Sequence, residues 1–165
     1  MKINIVMVEP EIPQNTGNIA RTCAATGAKL HLVKPLGFEI NDKCLKRAGL
    51  DYWDKLEIEE HENLEEFLKK YETDLDKMFL VSTKSKHTYS QIEYTKYDEI
   101  FLLFGKETKG LPEELLKKYI EKAIRIPMKE GLRSLNLSNS VAIVVYEVLR
   151  QNNFDNLQQI SNYFE

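Results

Sequence analysis

Six apolar runs of strand length recur along this chain, and segments with helical hydrophobic spacing lie between them. The runs are Ile3 to Val8, Leu30 to Val33, Leu56 to Glu59, Met78 to Ser82, Ile100 to Phe104 and Ala123 to Pro127. After the third, Leu64, Phe67, Leu68 and Tyr71 follow the i, i+3, i+4, i+7 spacing of a one-faced helix over Asn63 to Tyr71. The segment "GLPEELLKKY" sets Pro112 just inside a helix start. Glu113 and Glu114 fall in its first turn and Lys117 and Lys118 later, the order a helix dipole favours. Strands alternating with helices predict an α/β fold, a mainly parallel sheet with helices on both faces. The 165 residues suit a single domain, 1–165, and no repeat or low-complexity linker divides them.

The segment Leu137 to Arg150 is β-branched enough for a buried strand. Its length and its polar entry, "NLSNS", favour a helix that is apolar around most of its circumference. A helix with more apolar surface than one core can cover predicts a second copy, a homodimer, with Tyr146 at the interface. The tail Asn156 to Phe164, with Leu157, Ile160 and Phe164 on one side, reads as a short docking helix. The apolar run Val141 to Tyr146 is too short to span a bilayer, and the N-terminal run is broken by Asn4 and Glu9. No membrane association is expected, and a cytoplasmic location is. Cys23 and Cys44 have no metal-ligand or redox-pair spacing, so both are expected to be reduced thiols and no metal is indicated.

A net charge of −3 argues at first against a polyanionic partner, but the acid is concentrated. Glu57 to Asp76 carries nine acidic residues against Lys69 and Lys70, which leaves the remainder of the chain mildly basic.

In an open parallel sheet, ligands gather outside the carboxyl ends of the strands. Three strand ends here are unusual: "MFLVS" runs into "TKSKHTY", "IFLLFG" enters "KETKGLP", and "AIRIPM" enters "KEGLRSLNLSNS". Together they can form one pocket with an apolar floor; as three ordinary connections they form nothing. Gly105 permits close backbone approach to a ligand. "GKETKG" lacks the Lys and Ser/Thr of a phosphate-binding loop, and no G-x-G-x-x-G follows a strand, which disfavours nucleotide and dinucleotide sites. His31, His61 and His87 stand alone in the sequence and read as structural or solvated.

The most heavily loaded junction is "EPEIPQNTGNIARTCAATG", Glu9 to Gly27, where a strand gives way to a helix. Asn15 or Thr16 can cap that helix and Gly27 can end it. Asn18 and Arg21 share a face, and Arg21 is placed to reach a polar or anionic group at the strand ends or, equally, a surface carboxylate. In "NDKCLKRAGLDYWD", Lys43, Lys46 and Arg47 fall on one face of a short helix beside Tyr52 and Trp53. That combination suits RNA phosphates and bases, or a plain solvated face.

Together these segments resemble the SPOUT superfamily of RNA methyltransferases. Asn15, Gly17 and Arg21 match its N-x-G-x-x-x-R pattern. Gly105, Glu107 and Gly110 match G-x-E-x-x-G, and Ser134, Leu135, Asn136 and Ser138 match S-L-N-x-S. The stretches "EPEIPQNTGNIAR" and "KRAGLDYWD" are similar to the minimal TrmL (YibK-like) group, which acts on the wobble ribose of leucine tRNAs. The resemblance implies a deep C-terminal trefoil knot in a chain with no separate RNA-binding domain. It implies S-adenosylmethionine bound at Val81, Gly105, Ile126, Met128, Ser134 and Leu135, and tRNA as partner with Lys43, Lys46 and Arg47 contacting RNA. Arg21, Asn15, Glu107, Ser134 and Asn136 are then the catalytic set. A guanidinium hardly deprotonates. Arg21 is therefore expected to hold a phosphate or developing oxyanion, while a phosphate oxygen, water or Glu107 accepts the proton.

Overall fold

The computed structural model describes residues 1–39 and 56–164. The RNA-binding expectation for Lys43, Lys46 and Arg47 lies outside the described residues, as does Cys44. Ten described elements build the fold: β1 Lys2–Val8, α1 Pro13–Thr26, β2 Lys29–Val33, β3 Ile58–His61 and α2 Leu64–Lys70, then β4 Met78–Val81, β5 Glu99–Phe104, α3 Glu113–Lys118, β6 Ala123–Ile124 and α4 Leu137–Gln151. The strands form one sheet in the order β3-β2-β1-β5-β4-β6, and every pairing is parallel. Among the described residues no helix is long and apolar enough to cross a membrane.

The period-two geometry of a strand divides the apolar residues between two faces. Ile3, Ile5 and Met7 turn to the face covered by α1 and α4, where they join Ile19, Cys23, Val141 and Val145. Val6 and Val8 turn to the other, against Phe67 of α2 and Leu115 and Leu116 of α3. Runs apolar on both sides are thus explained by helices on both sides. Burial pushes the Cys23 thiol up to about 12, so it packs as an inert apolar group. The parallel register also places the functional end. Met7 pairs with Phe104, Phe104 with Val81, and Val81 with Ile124, so the segments that follow β1, β5, β4 and β6 emerge side by side.

Several expectations are corrected. Strand β3 starts two residues later than its apolar run because it is an edge strand carrying Glu59 and Glu60, and its one fully buried side chain is His61. Strand β6 stops at Ile124, after which only a bridge from Arg125 to Thr88 continues it. The tail after Asp155 forms turns, not a docking helix. Leu157 reaches the core, but Ile160 and Phe164 remain exposed, since so short a segment cannot sustain a helix without a face to cover.

His31 and His61, far apart in sequence, meet in the interior. His31 Nδ1 lies 3.0 Å from His61 Nε2, and His31 Nε2 lies 3.0 Å from Asn4 Oδ1. The Asn4 amide nitrogen donates to Glu99 and to the Ile100 carbonyl, so its oxygen must accept. His31 therefore carries its proton on Nε2, and His61 donates to His31 Nδ1. Glu59 lies 3.5 Å from His61 Nε2, close enough for the three to enclose a cation. The two rings, however, are nearly coplanar with centroids 5.3 Å apart, so their nitrogens point head-on along the N···N line. Glu59 is also engaged by Lys29 at 2.8 Å, Lys70 at 2.6 Å and Tyr71 at 3.1 Å. The arrangement is a hydrogen-bonded relay.

Burial depresses His31 to about 3 and lowers His61 as well. Burial raises the Glu59 carboxyl, but Lys29, Lys70 and Tyr71 outweigh it and bring it down to about 2. The unfolded histidines take up protons below about pH 6.5, while folded His31 does not until about pH 3 and folded His61 resists protonation below its unfolded value. Stability is therefore expected to be flat above that pH and to fall by roughly 1 kcal/mol per pH unit on acidification through His31, with His61 acting in the same direction. Below about pH 4.5 the unfolded Glu59 carboxyl also takes up a proton that the folded one, at about 2, does not, and the loss of stability steepens. Urea unfolding at pH 7.5, 6 and 5 measures the slope, and His31→Gln is expected to flatten it.

Candidate active site

Helix α1 begins at Pro13, not at Asn15 or Thr16, and its N-cap, Ile12, has no side chain able to cap. The cap comes from the loop after β5. Glu107 Oε2 accepts the Glu11 N–H at 2.9 Å, and Oε1 accepts the Ile12 N–H at 3.1 Å and the Asn15 side-chain amide at 3.0 Å. A carboxylate at a helix N-terminus also satisfies the dipole. Burial pushes the Glu107 carboxyl up, but the Asn15 amide and the Glu11 and Ile12 N–H groups outweigh it and hold the group below the usual carboxylate range. Glu107 is thus ionised, with its oxygens already accepting.

The chain of bonds continues. Asn15 Oδ1 accepts Asn136 Nδ2 at 3.0 Å, and Asn136 Oδ1 caps α4 by accepting the Ser138 N–H at 2.9 Å and the Ser138 hydroxyl at 2.7 Å. The three stretches at Asn15, Glu107 and Asn136 are therefore joined in one line, from the mouth of α1 to the mouth of α4.

Two further links brace this junction. Lys106 Nζ contacts Glu9 Oε2 at 2.6 Å, and the Glu11 carboxylate accepts from the Thr108 N–H at 3.1 Å and from its hydroxyl. Glu9 adopts a φ of +52°, an unfavourable conformation for glutamate, held by its N–H to Val33 and by Lys106. Opposite charges just beyond two adjacent strand ends were the sequence signal for this strut, which was missed. Gly105 serves its own loop: a Cβ there would lie 2.0 Å from the backbone of Gly110 and Leu111, so the close approach is loop to loop. Gly110 itself takes a φ of +71° and returns a hydrogen bond to Lys106.

Beside this junction opens a cleft of roughly 630 Å³, a size suited to a small-molecule cofactor. Val81, Gly105, Ile126, Met128, Ser134 and Leu135 all line it, together with Asn15, Glu107 and Asn136. Its floor is apolar, from Val81, Phe104, Leu111 and Ile126, and its rim is polar. Arg21 is not among the lining residues. It stands exposed with Asn18 on α1, six residues and roughly 9 Å along the axis from Asn15, and within one chain it does not enter the cleft. Tyr146, on α4, is half exposed.

A parallel sheet with a cleft walled by three loops at its strand ends defines an α/β protein with a small-molecule site. The match to the SpoU rRNA methylase family covers residues 2–146, and the chain belongs to that family of methyltransferases. A Listeria monocytogenes protein bearing the provisional name tRNA (cytidine(34)-2'-O)-methyltransferase is 51% identical over 164 residues, covering 99% of this chain and 96% of that one. A Bacillus subtilis protein of the same provisional name is 48% identical, covering 94% and 97%. Among solved structures, a Bacillus anthracis protein given the provisional description RNA methyltransferase superposes with a TM-score of 0.88 at 44% identity, covering 96% and 99%. A structure solved in work on 2-OH methylation of C/U34 on tRNA gives 0.85 at 39%, covering 93% and 97%.

Proposed function

We propose that this chain methylates the ribose 2'-hydroxyl of the wobble nucleotide, cytidine or uridine 34, in leucine tRNAs, with S-adenosylmethionine as donor. The observation that carries the reading is the Glu107–Asn15–Asn136 line, which sets two oriented amides at the mouth of a cofactor-sized cleft. The names of the relatives supply the substrate: position 34 of tRNA.

Val81, Ile126, Met128 and Leu135 would hold the apolar parts of the donor, with Gly105 and Ser134 at its polar edge. The donor supplies an already activated methyl group, so the protein's share is to hold the ribose oxygen in line and keep water out. Asn15 and Asn136 position the ribose, and Glu107 fixes Asn15 in place of abstracting the proton, which leaves to a phosphate oxygen or water.

Arg21 acts on RNA from the exposed face of α1. That helix packs against α4, which exposes Tyr146, so in the homodimer we propose, Arg21 stands near the boundary between the two copies. The trefoil knot belongs to the same proposal, the segment from Gly131 onward passing through the preceding loop. Arg21→Lys keeps the charge but loses the planar fork, and its kcat/KM is expected to fall about tenfold with donor affinity unchanged. Retention of most of the turnover would exclude a forked contact.

The reading as a whole is tested by methyl transfer to leucine tRNA transcripts, with the modified nucleotide mapped. Methylation confined to the 2'-oxygen of nucleotide 34, and lost when that ribose is 2'-deoxy, is the expected result. Methylation elsewhere, or on ribosomal RNA alone, would replace it.

A further inference from the structure

The cations of this protein are sorted. Around β2 and β3 most are paired, Lys29 and Lys70 with Glu59 and Lys34 with Glu60 and Glu62. At the carboxyl ends of β4, β5 and β6, toward the opposite edge of the sheet, five are not. Lys84, Lys86, Arg125 and Arg133, with Lys109 from the loop after β5, form no ion pair among the described residues. In a chain with more acids than bases, five such cations with no ion pair among the described residues are not an average surface.

These residues share one place. Lys84, Lys109 and Arg133 line the cleft. The loop carrying Lys84 and Lys86 is strapped along the end of β6, with the Ser85 hydroxyl on the Ala123 carbonyl at 2.5 Å, the Arg125 N–H on the His87 carbonyl at 2.8 Å and the Tyr89 N–H on the Arg125 carbonyl at 2.9 Å. The backbone bonds fix the loop and leave both cationic side chains available. The acids nearby are Glu121, 3.7 Å from His87, and the exposed Glu130.

We infer that the loop Ser82–His87, Arg125 and Arg133 form a track for the phosphodiester backbone of the RNA strand leaving the cleft over the β6 edge. The inference rests on the reading of the cleft as a ribose methylation site. A cofactor confined to the cleft cannot reach Lys86 or Arg125, neither of which lines it. A strand held with one ribose at Asn15 and Asn136 must continue outward past cations that form no ion pair among the described residues.

Phosphate contacts reveal themselves through salt. Each one lost reduces the slope of log affinity against log salt by about 0.7 to 0.9. For the double variant Lys86→Gln/Arg125→Gln and an unmodified leucine tRNA transcript, the slope is expected to shrink by about 1.5, with affinity at low salt down about tenfold. S-adenosylmethionine affinity, measured on the same samples, is expected to stay at the level of the unaltered protein, which also reports that the variant is folded. Lys69→Gln, a lysine of α2 toward the other edge that forms no ion pair among the described residues, is the matched control and is expected to leave the slope alone. Intact tRNA binding with an unaltered slope in the double variant, or the same change in Lys69→Gln, overturns the track and leaves the methylation reading standing. Absence of salt-dependent tRNA binding by the unaltered protein overturns both.

Discussion

Glu107→Gln will lower methyl transfer by about 100-fold while leaving the shape of the pH–rate profile unchanged. The substitution preserves volume but turns one acceptor oxygen into an amide donor facing donors. Oε1 receives the Ile12 N–H and the Asn15 amide, and Oε2 receives the Glu11 N–H. Whichever way the new amide is turned, at least one of these loses its acceptor, at a cost of about 1–3 kcal/mol. The mouth of α1 shifts and Asn15 with it, and a displacement of about 1 Å at a reacting group costs on the order of 100-fold. The unchanged pH profile separates this role from that of a general base, whose removal would abolish a limb of the curve. A lost limb, with normal binding of donor and RNA, would make Glu107 the proton acceptor.

Gly105→Ala is expected to be the most damaging single substitution in the cleft. Its Cβ would lie 2.0 Å from the Gly110 carbonyl carbon and the Leu111 nitrogen, backbone atoms that cannot rotate away. The loop 105–111 has to open, which pulls Lys106 from Glu9, Thr108 from Glu11 and Glu107 from the start of α1. Overpacking of this kind costs about 1–3 kcal/mol or more. Donor affinity should fall by more than tenfold, as calorimetric titration would show, and the melting temperature should drop by several degrees. By contrast, Gly110→Ala meets no atom within 4 Å and suffers only from its positive φ, so its loss should be the smaller of the two.

The two substitutions act through bonds spanning ninety or more positions of sequence, and that span marks the limit of what the sequence disclosed. Local signals were reliable. The runs at β1, β2, β4 and β5 became strands, Gly27 closed α1 with a φ of +72°, and Asn63 capped α2 through Glu66. Leu137 onward became a helix once Asn136 was seen to cap it. What failed was non-local. The start of α1 could not be placed at Pro13, because the group that caps it is Glu107 in another loop. His31 and His61 looked solitary because their pairing exists only across adjacent strands.

The site shows the same division. Val81, Gly105, Ile126, Met128, Ser134 and Leu135 were assigned through resemblance and do line one cleft, where strand-end reasoning had already directed attention. Asn15, Glu107 and Asn136 meet, but with bonds that make Glu107 an anchor. Arg21 was expected at the same point. Its distance along α1 and its exposure keep it outside, because sharing a helix with Asn15 does not mean sharing a face. Lys84, Lys86 and Arg125 drew no attention in the sequence, where lysines that pair with acids look the same as lysines that do not.

The most direct test of a site assembled from three distant motifs is a double-mutant cycle on kcat/KM with Asn15→Ala, Asn136→Ala and the pair. Groups that act as one unit are strongly non-additive. The double variant is therefore expected to be little worse than the more impaired single variant, with a coupling of at least about 1 kcal/mol. Losses that simply add would show that the two asparagines act separately, and the line from Glu107 to the mouth of α4 would then be a structural contact with no part in methyl transfer.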